Sequence, residues 1–531
     1  MSKSISPNEP RSRGDWRDGL PEGIARDGLP DVAAIRFDSR DVTPGDLFVC
    51  VVGGQADGHA YAAQAVQRGA VVLVAQEGHA AEGIDALGVP VVRVPDTRVA
   101  LAAISAAHEG YPARSLTVIG VTGTDGKSTT CFLILAALEA CNLKVGLLTT
   151  IESRIAGRVL PNPTRLTSQE APFVQRMLAD MVEAGCTHAV VESTSIGLDL
   201  HRVDGCMFDV AVFTNLTSDH LDYHGTMEHY RAAKGRLFEM LDEPGPPKAK
   251  RVLKSAIVNI DDPAWKYFAA RTSARTVTYS VDDTDADVHV EDLMPWADGA
   301  TFALVADDEY VEASIKMPGD YNVSNATAAL TVAAALRLPV EMAAAGVANC
   351  AGVPGRMERI EGAPFDVIVD YAHTGAALRK AVSALRPVVE GRIIAVFGCA
   401  GERARERRTG LGGIAAELID LSILTDEDPR SEPSAAIIDE IAQAMIAAGG
   451  VEGASANASA SHGFERVIDR REAIARALEI AQPGDLVLIA GKGHESTIEY
   501  ADGPQPWDDR TVTREEIARH FGTASATPDA E

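Results

Sequence analysis

One stretch constrains the fold of this chain more than any other. An apolar run, SLTVI, leads into the glycine-rich segment GVTGTDGKST at residues 120–129, and an apolar helical run follows. Glycines let a backbone wrap closely around phosphates, and the amide groups at a helix N-terminus favour negative charge. Val121 stands where the strict form of this loop has its first glycine. The strand, loop and helix still predict a nucleotide-binding α/β domain in which Lys127 reaches the outer phosphates and Ser128 binds Mg²⁺.

Length and charge limit the protein classes that remain. At 531 residues the chain is long enough for about three domains, and 46% hydrophobic residues exclude a disordered protein. The chain carries 49 basic and 76 acidic residues, a formal charge of -27. A surface this acidic repels phosphate backbones, so we expect no nucleic-acid partner. A local basic pocket for an anionic substrate remains compatible with this charge.

The cysteines and the chain start indicate the compartment. Seven scattered cysteines form no CxxC pair, which argues against a disulfide framework and a zinc site. The first residues are polar and lack the apolar core of a signal peptide. No run approaches the roughly 20 apolar residues that a membrane span needs. We therefore expect a cytoplasmic protein with no membrane contact.

Alternating apolar strands and helical stretches predict an α/β protein of three domains. We expect a small N-terminal α/β domain at 1–112, with 1–30 loose, and a central ATPase with a phosphate-binding loop and a parallel sheet at 113–352. A C-terminal Rossmann-like domain follows at 353–531, with 522–531 loose. Its predicted strands end in polar residues, and ligands collect at such strand ends in open α/β sheets.

Two predicted strands beside the loop also end in polar side chains. Glu192 ends the run THAVVE, and Asn215 follows DVAVFT, with His220 a few residues later. Carboxylate and imidazole groups that converge on a phosphate loop suit Mg²⁺. Any one of them alone is equally well explained as a helix cap or a surface group.

A lysine interrupts the apolar face of the next predicted helix. The face consists of residues spaced three and four apart: Met227, Tyr230, Lys234, Leu237, Phe238 and Leu241. A lysine at such a position either extends its ammonium group to solvent or lies partly buried and becomes reactive. The residues alone leave both interpretations open.

Several segments together resemble the Mur ligases, and within that family the enzymes that add the third residue of the peptidoglycan precursor peptide. The segments that carry the resemblance, in order and spacing, are DSRDVTPGDLFVCVVGGQADGH, GVTGTDGKST, VESTS, TNLTSDHLDYHGTMEHYRAAKGRLF, GRMERI, VDYAHT, LTDEDPRSEP and LIAGKGHE. The resemblance covers residues 30–515. It implies a domain that holds a UDP-linked substrate, a central ATPase, and a C-terminal domain that presents an amino acid.

The resemblance also implies a reaction and its participants. A carboxylate of UDP-N-acetylmuramoyl-L-alanyl-D-glutamate attacks the γ-phosphate of ATP, and the amine of a diamino acid then attacks the acyl phosphate. Both steps crowd negative charge, which cations stabilise. The implied partners are the UDP-muramoyl-dipeptide and the diamino acid, and we expect a monomer.

Roles follow for residues that match the family motifs. By this resemblance, the catalytic group would be Lys127, Glu192, His220 and Lys234. The nucleotide-binding group would be Gly123, Thr124, Asp125, Gly126, Lys127, Ser128, Thr129, Asn322, Asn325, Arg356, Asp370 and His373. The metal ligands would be Ser128, Glu192, His220 and Lys234, the last as a carbamate formed with CO₂.

The substrate-binding group includes the positions that select the amino acid. Ser39, Arg40, Thr167, Ser195 and Arg202 would lie along the UDP-muramoyl-dipeptide. Arg403, Glu427, Asp428, Arg430, Gly491 and Glu495 would hold the amino acid. Enzymes of this type that add meso-diaminopimelate carry DNPR, where this chain has EDPR. Arg430 suits the second carboxylate of diaminopimelate, whereas the negative charge of Asp428 suits the free ammonium of lysine or ornithine.

Three departures from the family pattern keep other functions open. Asp125 replaces an asparagine, Ile196 a histidine and Gly375 a proline. The alternatives are a divergent relative with another acceptor, such as a folate or poly-amino-acid substrate, and a catalytically retired nucleotide-binding protein. A simple kinase or GTPase switch would leave the later motifs without a purpose.

Overall fold

The computed structural model describes residues 13–53, 56–79, 83–161, 169–243, 248, 252–296, 299–307, 309–453 and 462–522. The chain forms two compact units. The first unit holds Met1–Glu291, Ala303–Ala313 and Ser324–Ala348, and the second holds Asp292–Phe302, Ser314–Val323 and Asn349–Glu531. The predicted domain boundaries at 112/113 and 352/353 stay predictions.

A small parallel sheet opens the first unit. Its strands are β1 (Ile35–Arg36), β2 (Leu47–Val49), β3 (Val72–Gln76) and β4 (Val91–Val94), in that order, with helices α1 (Ala62–Gln67) and α2 (Thr97–His108). Every neighbouring pair is parallel. Leu47 and Val49 pack in one apolar cluster and Phe48 in another, because successive side chains of a strand point to opposite faces.

The phosphate loop belongs to an eleven-stranded sheet. Its strands are β5 (Thr117–Thr122), β6 (Val145–Leu148), β7 (Glu152–Ile155), β8 (Arg158–Pro161), β9 (His188–Glu192), β10 (Val210–Phe213), β11 (Ser255–Asn259), β12 (Arg275–Ser280), β13 (Val288–Trp296), β14 (Gly299–Ala306) and β15 (Glu309–Ile315). The helices are α3 (Lys127–Ala140), α4 (Ala171–Glu183), α5 (Ser195–Asp199), α6 (Leu221–His224), α7 (Met227–Glu239), α8 (Trp265–Ala269), α9 (Asp320–Ala335) and α10 (Val340–Ala348).

Strand order explains why polar side chains meet at the loop. The order is β15-β14-β13-β12-β11-β10-β5-β9-β6-β7-β8, so β5 lies between β10 and β9 and is parallel to both. Residues that end these three strands therefore share one edge of the sheet. The predicted parallel core is present, but β7 and β8 add an antiparallel edge, since short connections turn the chain straight back.

The second unit contains a seven-stranded sheet. Its strands are β16 (Glu358–Arg359), β17 (Asp366–Asp370), β18 (Ile393–Phe397), β19 (Leu421–Leu424), β20 (Val451–Glu452), β21 (Gly463–Arg466) and β22 (Leu486–Ala490), in the order β16-β17-β22-β18-β19-β21-β20. The hairpin β23 (Thr497–Tyr500) and β24 (Gly503–Pro506) follows. The helices are α11 (Gly375–Leu385), α12 (Arg405–Leu418), α13 (Ser434–Ala447), α14 (Arg470–Ile480) and α15 (Asp509–Phe521).

The predicted C-terminal strands are all present, and in the described part of the seven-stranded sheet only β16 runs antiparallel to its neighbour. Short 3₁₀ helices occupy Trp16–Gly19, Gly58–Tyr61, Ile84–Ala86, Pro112–Ser115 and Arg386–Val388. Within the described part of the chain, no helix combines the length and apolar character that crossing a membrane requires.

Candidate active site

Two glycines shape the loop between β5 and α3. Gly126 has φ 80° and caps the N-terminus of α3. A Cβ atom there would lie 2.3 Å from Asn325 Oδ1, and one at Gly123 would lie 1.9 Å from Thr214 Oγ1. The loop backbone thus packs directly against α9 and the end of β10. This arrangement, at the start of a 14-residue helix, suits a phosphate group.

Asn215 fixes the middle of this loop. Its Oδ1 accepts a hydrogen bond from the Asp125 amide at 2.9 Å, and its Nδ2 donates to the Asp125 carbonyl at 3.2 Å. Thr214 Oγ1 donates to the same carbonyl at 2.7 Å. Asp125 is itself exposed. The fold therefore holds the backbone of residue 125, whatever side chain it carries.

A hydroxyl and a carboxylate meet beside the loop. Ser128 Oγ donates to Glu192 Oε2 at 3.0 Å, and the Thr150 amide donates to the same oxygen, also at 3.0 Å. Glu192 is buried. Lys127 Nζ donates to the Thr124 carbonyl of its own loop at 2.7 Å. Glu192 therefore lies beside the loop, as its position at the end of a neighbouring parallel strand predicts.

Lys234 lies under the loop and does not reach solvent. The residue is 2% exposed, and its Nζ donates to the Gly123 carbonyl at 2.6 Å. The same nitrogen lies 4.3 Å from the centroid of the Tyr230 ring. Burial, reinforced by the charge of Lys127, holds the pKa of Lys234 well below its usual value. The interpretation in which Lys234 extends its ammonium group to solvent is therefore wrong. The interpretation of Lys234 as a buried, reactive lysine remains.

His220 shares Tyr230 with Lys234. The His220 ring lies edge-on to the Tyr230 ring with centroids 6.5 Å apart, and its Nε2 lies 3.4 Å from Asp219 Oδ2. The residue has a left-handed backbone conformation, φ 51°, at the start of α6. Tyr230 also contacts the loop, since its hydroxyl lies 3.1 Å from Thr124 Oγ1. His220, Lys234 and the loop therefore surround one aromatic ring.

The two predicted adenine ligands occupy different environments. Asn325 contacts the loop, where its Oδ1 accepts a hydrogen bond from Thr130 Oγ1 at 3.2 Å. Asn322 donates through Nδ2 to the Pro318 carbonyl at 2.8 Å and is buried. Thr129 is also buried, on the first turn of α3.

A cavity of about 530 Å³ opens beside β2. Its walls include the predicted residues Ser39 and Arg40, and also Glu170, which sequence reasoning missed. Ser39 Oγ donates to Gln64 Oε1 at 2.8 Å, whereas Arg40 is exposed. Arg202 Nε donates to Glu170 Oε1 at 2.8 Å, which ties the predicted Arg202 to the cavity wall.

Two further predicted dipeptide ligands give different outcomes. Ser195 begins α5 with its Oγ buried and, among the described residues, without a hydrogen-bond partner. Thr167 lies outside the described residues. An unpartnered buried hydroxyl is costly unless a ligand completes its hydrogen bonding.

In the second unit, the end of β17 gathers three predicted nucleotide ligands. Asp370 accepts backbone hydrogen bonds from Met357 at 2.8 Å and Ala372 at 2.9 Å, so its carboxylate shapes the turn. The Arg356 guanidinium lies 4.3 Å from the centroid of the Tyr371 ring. His373 Nδ1 donates to the Tyr371 carbonyl at 2.9 Å. Tyr371, absent from the predicted site, thus organises this corner.

A buried charge cluster lies at the ends of β19 and β22. Lys492 Nζ donates to Asp428 Oδ1 at 2.7 Å and also to Glu495. Lys492 is 1% exposed. Glu427 is buried beside it with one oxygen, Oε2, lacking a hydrogen-bond partner among the described residues. Burial raises the pKa of Glu427 to about 7.

Arg430 and Gly491 complete the predicted amino-acid site. Gly491 has φ 111°, and a Cβ atom there would lie 3.3 Å from Glu427 Oε2. Arg430 has φ 55°, and its amide donates to the Glu499 carbonyl at 2.8 Å. Within the described ranges, its guanidinium makes no hydrogen bond or ion pair. Arg403 is exposed in the loop before α12.

One cluster outside the predicted site could in principle hold a metal. Asp57, His59 and His79 place three ligand atoms within 4.8 Å of one another. However, the Gln76 amide donates to His59 Nε2 at 3.0 Å, so the ring proton lies on Nδ1 and faces Asp57. A metal on Nδ1 would displace that proton. We therefore interpret the cluster as a set of structural hydrogen bonds among Asp57, His59 and His79.

Comparison with known proteins agrees with this geometry. Three family models match the chain in order: the Mur ligase family, catalytic domain, at residues 31–109; the Mur ligase middle domain at 121–333; and the Mur ligase, glutamate ligase domain, at 355–493. A UDP-N-acetylmuramyl-tripeptide synthetase from Roseiflexus sp. is 47% identical over 498 residues, which cover 92% of this chain and 95% of the relative. The chain belongs to the Mur ligase family.

Other relatives of this Mur ligase carry a more specific name. A UDP-N-acetylmuramoyl-L-alanyl-D-glutamate–2,6-diaminopimelate ligase from Gloeobacter violaceus is 42% identical over 94% of this chain and 98% of its own length. A solved ligase of the same name is 30% identical with a TM-score of 0.64, covering 96% of this chain and 99% of that one. A MurF from Acinetobacter baumannii, 22% identical with a TM-score of 0.64, shares the fold over 96% of this chain and 100% of its own. The predicted family, its three-domain α/β fold and its ligase class are confirmed.

Proposed function

We propose that this Mur ligase uses ATP and Mg²⁺ to join a diamino acid to UDP-N-acetylmuramoyl-L-alanyl-D-glutamate, in the cytoplasm. The observation that carries the proposal is the convergence of Lys127, Ser128, Glu192 and Lys234 on one loop. Relatives named for this reaction support it, since they match the chain over more than nine-tenths of its length. We propose that the chain acts as a monomer.

In the proposed first step the substrate carboxylate attacks the γ-phosphate of ATP. Phosphoryl transfer depends on positioning and charge neutralisation more than on covalent help from the protein. Lys127 would exchange its contact with the Thr124 carbonyl for phosphate oxygens. The remaining phosphates would be held by backbone amides of the loop and the first turn of α3, which include Gly123, Thr124, Gly126 and Thr129.

The residues beside the loop fit Mg²⁺. Ser128 Oγ and Glu192 Oε2 lie 3.0 Å apart, and hydroxyl and carboxylate oxygens are ligands that this hard cation prefers. The ion would neutralise charge on the transferring phosphate. His220 would be a further ligand.

Lys234 is the proposed site of a carbamate. Its depressed pKa favours the neutral amine, which is the form that attacks CO₂ and then releases a proton. The product replaces a buried neutral amine by a group with a pair of anionic oxygens. Such a group beside Gly123 would provide a further oxygen ligand for Mg²⁺ near the phosphate loop.

The nucleoside and the UDP-linked substrate would occupy the other predicted positions. Asn322, Asn325, Asp370 and His373 would contact the nucleoside, and Arg356 the γ-phosphate. Ser39, Arg40, Thr167, Ser195 and Arg202 would contact the UDP-muramoyl-dipeptide. The cavity beside Ser39 and the unpartnered hydroxyl of Ser195 support the second assignment.

For the amino acid we propose meso-diaminopimelate. Lys492 pairs with Asp428 and offsets part of the negative charge that would attract the side-chain ammonium of lysine or ornithine, and relatives named as 2,6-diaminopimelate ligases support the choice. The guanidinium of Arg430, which has no ion-pair partner among the described residues, suits the second carboxylate of diaminopimelate. Glu427, Gly491 and Glu495, with Arg403, would hold the other end.

The deciding experiment measures phosphate release from Mg-ATP with UDP-N-acetylmuramoyl-L-alanyl-D-glutamate and each of the three diamino acids separately, with product mass checked. We expect release and the matching mass only with diaminopimelate. Lys127→Met should abolish release and serves as the negative control. No phosphate release with any of the three amino acids would instead favour another acceptor substrate or a catalytically inactive nucleotide-binding protein.

A further inference from the structure

An arginine that no predicted role uses lies between the two loops of the amino-acid site. Arg470 begins α14, Asp509 begins α15, and the side chains of both are 0% exposed. Arg470 Nε donates to Asp509 Oδ1 at 2.8 Å and Nη2 donates to Oδ2 at 2.7 Å. Trp507 Nε1 donates to the same carboxylate at 2.8 Å. The guanidinium is thus fixed in one orientation.

The other donors of Arg470 join two strand ends. Nη1 donates to the Asp426 carbonyl at 2.9 Å and Nη2 to the Ala490 carbonyl at 2.8 Å. Ala490 ends β22, and Asp426 lies two residues beyond the end of β19. These strands are not neighbours, because β18 lies between them. One rigid side chain therefore sets the spacing of two separate loops.

Those loops carry the residues assigned to the amino acid. Residues 427–430 follow Asp426 directly, and residues 491–495 follow Ala490. We propose that Arg470, held by Asp509, positions both loops and thereby sets the affinity for the incoming amino acid without touching it. This inference rests on the proposed function. A site whose supporting contacts are rigid binds with a smaller entropic cost.

Arg392 provides a matched control for a purely stabilising role. Its guanidinium donates twice to Asp485 Oδ2, at 3.1 and 2.6 Å, and once to the Ile480 carbonyl at 2.9 Å. It therefore also joins an aspartate and a carbonyl within the same unit. However, it precedes β18, at the opposite end of the strands from the amino-acid loops.

The test compares Arg470→Lys with Arg392→Lys in the full chain. A lysine donates its three hydrogens from a single nitrogen, so it cannot span the carboxylate and both carbonyls that Nε, Nη1 and Nη2 of Arg470 reach. We expect Arg470→Lys to raise the KM for the amino acid about tenfold, since hydrogen bonds of charged groups are lost. The KM values for ATP and the UDP-dipeptide should change less than twofold, and Arg392→Lys should leave all three unchanged.

Hydrogen exchange gives a second readout that needs no turnover. Amides of 427–430 and 491–495 should exchange faster in Arg470→Lys, while those of β17 and β18 keep their protection. If Arg470→Lys fails to fold, Trp507→Phe removes only one hydrogen bond to Asp509 and should show the same effects more weakly. Unchanged amino-acid KM and loop exchange, or an equal rise in all three KM values, would overturn the inference. If wild type turns over no amino acid, the proposed function fails, and loop exchange still decides whether Arg470 positions these loops.

Discussion

The buried Lys492 Nζ forms an ion pair at 2.7 Å with Oδ1 of the partly buried Asp428. This ion pair affects how Asp428, which stands where the DNPR motif has asparagine, would act on a bound amino acid. A lone carboxylate at this position would attract a substrate ammonium, whereas Asp428 already interacts with the Lys492 charge, which it shares with Glu495. In the proposed function, recognition of the second carboxylate of the amino acid depends on Arg430.

We therefore expect Arg430→Ala to lose the preference for diaminopimelate over lysine. A bidentate arginine–carboxylate contact contributes about 1.5–3 kcal/mol, so kcat/KM for diaminopimelate should fall about 10- to 100-fold. Activity with lysine should change little. Asp428→Asn, which keeps a hydrogen-bond acceptor for Lys492, should retain the diaminopimelate preference. A switch to lysine in Asp428→Asn would contradict this assignment.

Lys234→Ala should abolish turnover, because no other group in this buried position can supply the carbamate oxygens. Short-chain carboxylic acids such as acetate should partly restore activity by occupying the space that the side chain leaves. Thermal unfolding of the variant checks that the fold persists. Undiminished activity without added acid would rule out the carbamate.

Asp125→Asn should preserve ATP use or improve it. Asn215 and Thr214 hold the backbone of residue 125, and the exposed carboxylate would add negative charge near the bound phosphates. We expect the KM for ATP to stay the same or decrease in initial-rate measurements. Complete loss of activity would give Asp125 a metal-binding role.

Glu427→Gln should change the pH dependence of stability. Burial raises the pKa of Glu427 to about 7, so the folded state binds a proton that the unfolded state has released above about pH 4.5. The stability this group contributes is present below pH 4.5 and is lost as the pH rises through 7. The free energy of unfolding of wild type should therefore fall between pH 5 and pH 8 by about 1–3 kcal/mol more than that of the variant, as measured by denaturant unfolding.

The exposed Glu406→Gln, on the first turn of α12, is the matched control for this measurement. Its unfolding free energy should follow that of wild type at both pH values. Parallel curves for Glu427→Gln and wild type would show that Glu427 ionises freely in the folded protein.

Local patterns were enough to predict the phosphate loop and the residues beside it. Lys127 and Ser128 stand in a contiguous motif, and Glu192 ends a strand whose partner could be inferred from parallel pairing. Lys234 was identified by its place in an apolar helical face. In each case the signal lies within one element or follows from one sheet rule.

Pairings between distant segments could not be predicted in this way. Lys492 and Asp428 are 64 positions apart, and Arg470 and Asp509 are 39 apart. Charged residues are common in the chain, and no periodicity indicates which of them become buried together. Glu170 was missed for the same reason, since its hydrogen bond with Arg202 joins the residue before α4 to the segment after α5.

The burial of Lys234 also has a consequence for the specific activity of purified protein. If Lys234 carries the proposed carbamate, CO₂ would have to pass the Gly123 carbonyl and the Tyr230 ring, which contact this nitrogen. Modified and unmodified molecules would then interconvert slowly. Preparations grown or stored at different bicarbonate concentrations should differ in specific activity, and prolonged degassing should inactivate the protein reversibly without unfolding it.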